Sequence, residues 1–136
     1  MVASFRDVEA IVAELPEVTV GARFGNRTWF VGKKSMAWER PFSKADIKRF
    51  GDAPVPDGEI LAVTVAGLDE KEAVLAAGSR GVFTIEHFNG YAAVLIQLKV
   101  VGKRVLRDLL VDGWLAAAPP ALAAEHASRL VKRSRR

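Results

Sequence analysis

The 136-residue sequence predicts an α+β domain: a two-layer sandwich in which an antiparallel sheet of about five or six strands is covered by helices. Three observations predict it. Apolar stripes at helical spacing open the chain, at Phe5, Val8, Ile11, Val12 and Leu15, and return near its end, at Val105, Leu106, Leu109, Leu110, Trp114 and Leu115. Between them, short β-branched and aromatic runs are separated mostly by turns too short for parallel crossovers. Half of the residues are apolar and 26% are charged, the balance of one globular domain with a core.

The elements follow in order. Ser4 and Asp7 cap the first helix and Pro16 stops it. Val18, Val20 and Ala22 alternate with Thr19, Gly21 and Arg23 as a strand. Gly25-Asn26 then marks a turn, and Arg27 to Val31 forms a second strand. Gly32 to Ser35 turns the chain, and Met36 to Glu39 completes a three-strand meander. Ser43 with Asp46 caps a short helix, Lys44 to Phe50, closed by Gly51. After a Pro- and Gly-containing loop, Ile60 to Val65 reads as a buried strand. A helix from Asp69, with Ala73, Val74 and Ala77 facing inward, ends at Gly78. Val82 to Ile85 and Tyr91 to Leu98 are the last strands, with Asn89-Gly90 expected at positive φ in a hairpin turn between them. A long helix from Gly102 to Ala118 stops at Pro119-Pro120, and a weaker one starts near Ala121. One domain is expected over 1–125, with 126–136 a basic tail expected to fray.

Composition narrows the function classes. With no cysteine there is no disulfide, thiolate nucleophile or cysteine-ligated metal. The longest apolar run, Ala92 to Ile96, is far below the roughly 20 residues of a membrane span, and the first residues do not read as a secretory signal. A cytoplasmic location is the expectation. The formal charge of +4 comes from the end of the chain: Arg129, Lys132, Arg133, Arg135 and Arg136 stand there without an acid. Residues 1–128 then hold 15 basic and 16 acidic groups. Within them charge is uneven. Residues 23–49 carry Arg23, Arg27, Lys33, Lys34, Arg40, Lys44, Lys48 and Arg49 against two acids, whereas 50–98 carry two bases against seven acids.

Chemistry-bearing motifs are sparse. His87 and His126 are the only histidines, and neither has metal-ligand spacing around it. No nucleophile elbow or phosphate loop occurs. No cofactor, metal or catalytic residue is therefore expected. Two binding sets remain. The eight cations of 23–49 can meet DNA phosphates as a basic meander, aided by the tail, without sequence preference. Alternatively, the Gly25-Asn26 and His87 to Tyr91 loops converge on a small ligand or a protein, with Asn26, Trp29, His87, Asn89 and Tyr91 at the site. Trp29, Trp38 and Trp114 otherwise read as packing residues.

Four segments resemble one family in order and spacing: Phe24-Gly25-Asn26-Arg27-Thr28-Trp29-Phe30-Val31, Leu68-Asp69-Glu70-Lys71-Glu72-Ala73, Phe83-Thr84-Ile85-Glu86-His87-Phe88-Asn89-Gly90-Tyr91 and Leu109-Leu110-Val111-Asp112-Gly113-Trp114. They are similar to the MmcQ/YjbR family, and the likeness spans roughly residues 4–125. The resemblance implies a helix-on-sheet sandwich of the kind compared with secretion chaperones and with a double-wing DNA-binding fold. It also implies a DNA-binding role.

Overall fold

The computed structural model describes residues 2–134. Six strands form one antiparallel sheet: β1 (Val18–Arg23), β2 (Asn26–Val31), β3 (Lys34–Glu39), β4 (Ile60–Thr64), β5 (Val82–Phe83) and β6 (Ala93–Gln97), in the order β1-β2-β3-β4-β6-β5. The helices are α1 (Phe5–Val12), α2 (Lys44–Arg49), α3 (Leu68–Ala76), α4 (Lys103–Ala117) and α5 (Pro120–Ser134), with a single 3-10 turn at Glu86–Phe88. This is the α+β sandwich that the periodicity predicts. The α5 helix runs through residues 125 and 126, where the sequence reading divides domain from tail, and Leu130 beyond that point is buried in the core.

The sheet separates two cores. On one face, Trp29 and Val31 of β2, Leu61 and Val63 of β4 and Ile96 of β6 pack against Val8, Ile11 and Val12 of α1 and Leu106, Leu110 and Trp114 of α4. Trp114 is fully buried, and its indole N–H donates to the Pro16 carbonyl at 2.9 Å. The α4 helix approaches closely at Gly113, where a Cβ would lie 2.8 Å from Val63 and 3.1 Å from the Met36 carbonyl. The other face is not simply wet, as a sandwich covered on one side would leave it. Ile60, Ala62, Ala93 and Leu95 meet Ile85 and Phe88 in a second core, edged by Trp38, Phe42, Phe50 and Phe83. Two short pieces, α2 and the 3-10 turn, cover this face.

Several local expectations shift. The first hairpin turns at Phe24-Gly25, both at positive φ (53° and 78°), with Arg23 opposite Asn26. This two-residue geometry matches the strand twist, so the turn sits one residue earlier than Gly25-Asn26. At the later loop only Gly90 has positive φ, at 76°; Asn89 has φ −59° and ψ 130°. The Tyr91 N–H closes the turn on the Phe88 carbonyl at 3.0 Å, a type II turn that asks for glycine at one position alone. The strand expected over Val82 to Ile85 shortens to two residues because Ile85 caps the 3-10 turn. The α3 helix is rotated from the expected face: Ala73 and Ala77 are exposed, while Lys71 is buried and Val74 and Leu75 are half-buried.

Candidate functional site

The sheet face away from α1 and α4 carries an open cleft of about 790 Å³. Its parts come from three distant stretches. The first is the β1–β2 hairpin tip, which supplies Arg23, Phe24 and Asn26. The second runs from β3 into α2 and supplies Trp38, Arg40, Phe42, Asp46 and Arg49. The third is the 3-10 turn with its exit, which supplies His87, Phe88 and Tyr91.

Trp38 reaches the cleft because of a bulge. Thr28 and Trp29 pair with Trp38 and Ala37, but Phe30 pairs with Ser35, leaving Met36 as the extra residue of β3. The extra residue changes the phase of the strand, so Ala37 and Met36 both enter the helix-side core while Trp38 turns to the opposite face. There Trp38 lies against Phe88 and Tyr91, with ring centroids 6.4 Å and 6.2 Å apart.

The Phe88–Tyr91 loop is braced from beneath. The Lys71 ammonium, buried under the turn, donates to the Phe88 carbonyl at 2.6 Å and the Tyr91 carbonyl at 2.8 Å. Burial pushes this lysine below its ordinary pKa. The α2 wall is fixed by Asp46, whose side chain is 1% exposed. Its carboxylate accepts from the Ser43 N–H and pairs with Arg40 at 2.9 Å and with Arg49 at 3.5 Å. Burial alone would raise the Asp46 carboxyl; the Ser43 backbone N–H and the Arg40 guanidinium outweigh it and hold the group below the usual carboxylate range. Arg40 also lies over the Phe88 ring, 5.5 Å from its centroid. Arg23 donates to Ser35 Oγ at 3.3 Å and covers the Phe24 ring at 5.7 Å. Beside the α2 wall a smaller cavity of about 170 Å³ reaches Glu86 and Thr84, and Thr84 Oγ1 is buried without a protein partner.

Residues from both expected binding sets therefore share one cleft: Arg23, Arg40 and Arg49 from the basic set, and Asn26, His87 and Tyr91 from the other. The remaining members lie elsewhere. Trp29 is 1% exposed in the opposite core, because its place in β2 faces α4. Asn89 is exposed in the type II turn and does not line the cleft. Arg27 lies on the helix side, paired with Glu9 and Glu39 and stacked over Trp29. Lys33 and Lys34 occupy the far end of the β2–β3 hairpin, roughly 17 Å along β2 at about 3.3 Å per residue. Lys44 and Lys48 are exposed on α2 outside the cleft lining. The eight cations thus form no single face. Phe24 is the residue that sequence reasoning passed over: 93% exposed and at φ 53°, it stands at the cleft rim. Its signal was present as a large apolar residue immediately before a turn glycine.

Among the described residues no group of three or more His, Asp or Glu side chains is placed to hold a metal, and no helix is long and apolar enough to cross a membrane. No family model matches the chain. Uncharacterized proteins of Mycobacterium tuberculosis (Rv2570) and Mycobacterium bovis (Mb2600) are each 39% identical over 123 residues, covering 88% of this chain and 92% of theirs. The crystal structure of Deinococcus radiodurans protein DR2400, a DUF419 domain, superposes with a TM-score of 0.58 at 18% identity, covering 96% of this chain and 89% of that one. That likeness is one of fold, and DUF419 is a fold family of the MmcQ/YjbR kind. With its helix-backed antiparallel sheet and near full-length match, the chain belongs to one family with the mycobacterial proteins Rv2570 and Mb2600 and carries the DUF419 fold.

Proposed function

We propose that the protein is a non-enzymatic binding module, and that its ligand is a small molecule with an aromatic ring held in the cleft between the hairpin tip, α2 and the Phe88–Tyr91 loop. The observation that carries this reading is Phe24. A phenylalanine at the first central position of a turn that favours Asn, Asp or Gly is locally unfavourable, and at 93% exposure it gains almost no burial in return. Its cost is rational if the ring serves as a stacking surface at the rim of the cleft that Trp38 and Tyr91 also line. The volume of about 790 Å³ lies within the range of small-molecule sites. Binding is favoured over catalysis because the cleft's buried carboxylate, Asp46, is committed to Arg40, Arg49 and Ser43. Among the described residues no serine or carboxylate orients His87. Full membership of the MmcQ/YjbR family, which the four sequence segments resemble, is compatible with this reading.

Ligand-observed NMR against a set of small aromatic compounds tests it. Binders should compete with one another and lose affinity about tenfold or more in Trp38→Ala and Tyr91→Ala, while Lys33→Ala/Lys34→Ala binds as the parent does. No binders, or binders indifferent to both cleft substitutions, would refute the site.

DNA is the second reading, favoured by one observation. Lys33, Lys34, Lys44 and Lys48 are exposed and make no ion pair among the described residues. If those four each meet a phosphate, log K should fall with log salt at a slope near −3.6, about −0.9 per contact. Absence of duplex binding near 50 mM salt would exclude this reading.

A further inference from the structure

We infer that the cleft ligand is a planar aromatic ring bearing a phosphomonoester, a nucleoside monophosphate or a comparable ring phosphate. This rests on the small-ligand reading above and adds the charge of the ligand to it. Three guanidiniums, Arg23, Arg40 and Arg49, line the cleft against one carboxylate, Asp46. Asp46 is close to Arg40 at 2.9 Å and only loosely engages Arg49 at 3.5 Å. Arg23 makes no ion pair among the described residues and holds only the Ser35 hydroxyl. The balance is two positive charges in excess, carried by the two arginines with donors to spare.

A phosphomonoester carries about −1.5 to −2 charges near pH 7 and presents three acceptor oxygens, which suits two guanidinium forks. A monocarboxylate brings one charge and leaves one arginine unmatched. The aromatic surfaces complement the other half of such a ligand. Phe24 stands at one rim beside Arg23, while Trp38 and Tyr91 form a corner with their rings edge to face, 64° apart. Bases stack on such rings whatever their identity, because every base has a π-face. Arg23 and Phe24 are neighbours on one turn, so one wall offers an anion contact and a stacking surface together. The small cavity with Thr84 Oγ1 and Glu86 adjoins the Arg49 wall.

Calorimetric titration tests the assignment with four probes: adenosine monophosphate, flavin mononucleotide, adenosine and inorganic phosphate. At least one of the two ring phosphates should bind ten times or more tightly than adenosine and phosphate alone. Arg23→Ala and Arg49→Ala should each reduce that preference about tenfold, and both sites are exposed enough for the fold to persist. Phe24→Gly separates function from structure by sign: it should weaken binding while raising the melting temperature, because glycine accepts the turn's positive φ. A purely structural role for Phe24 would instead leave the affinity unchanged and lower the melting temperature. If adenosine binds as tightly as the ring phosphates, or if both arginine variants keep the preference, the phosphate assignment is overturned while the small-ligand site stands. If no aromatic probe binds, both fall. Preference for adenosine monophosphate over flavin mononucleotide, or the reverse, identifies which ring the clamp suits.

Discussion

Asp46 and Lys71 hold the two walls of the cleft by opposite means, and pH should distinguish them. The folded state keeps Asp46 below the ordinary carboxylate value of about 3.9, so the unfolded chain takes up its proton first on acidification. Its contribution is therefore full above that value and is lost as pH falls through the lower folded one. Asp46→Asn should lower stability near pH 7 and remove part of the acid-induced loss, as read from urea unfolding between pH 2.5 and 7. Lys71 has the reverse linkage. Its folded pKa is depressed by burial, so the unfolded chain holds the proton longer and stability from this group rises through the alkaline window below about 10.4. Lys71→Met, at constant stem volume, should abolish that rise and release the Phe88–Tyr91 loop, seen as broadened Tyr91 resonances. Neither role was legible from spacing alone. The spacing marks Asp46 as a cap but not as the partner of two arginines, and the apolar Ala73, Val74 and Ala77 draw the predicted inward face of α3 away from Lys71.

The long helix α4 was readable almost to the residue, because seven buried positions repeat at helical spacing and two prolines close the segment. Trp114→Ala should cost about 4 kcal/mol by chemical denaturation, since a fully buried indole leaves both a cavity and an unpaired Pro16 carbonyl. Gly113→Ala should cost about 2 kcal/mol, for there the obstacle is overpacking against Val63 and the Met36 carbonyl. The strands were readable in number and in their sequence along the chain, but not in phase or in their order across the sheet. Strict alternation puts Met36 and Trp38 on one face; the bulge at Met36 separates them and delivers Trp38 to the cleft. A bulge leaves no mark in a hydrophobic pattern when the residues on both sides of it are apolar. The hairpin tip shows the same limit: Asn26 is a good turn residue, yet the strand twist is met by Phe24-Gly25.

At the scale of the whole molecule, fold class and single-sheet architecture followed from composition and periodicity, whereas the site did not. Residues 23–26, 38–49 and 87–91 meet only through the strand order that places β3 beside β4 and β4 beside β6. One sequence is compatible with many strand orders, so the pattern points to the convergence of two loops and not to the part α2 takes in it. Net charge was equally uninformative, because pairing with Glu9 and Glu39 takes Arg27 out of the basic stretch. The two cores on opposite faces of the sheet have a consequence in time. The helix-side core is continuous from α1 through α4, while the cleft-side core is closed by α2 and one 3-10 turn. Opening free energies within one protein range from near zero to the global value, and thinly packed covers fall at the low end. Amides of α2 and residues 86–91 should exchange with deuterium well before those of β4, β6 and α4, in a step whose rate is insensitive to Trp114→Ala. Ring ligands would then enter by a local breathing of that cover, on a clock set by the smaller core, while the rest of the chain stays shut.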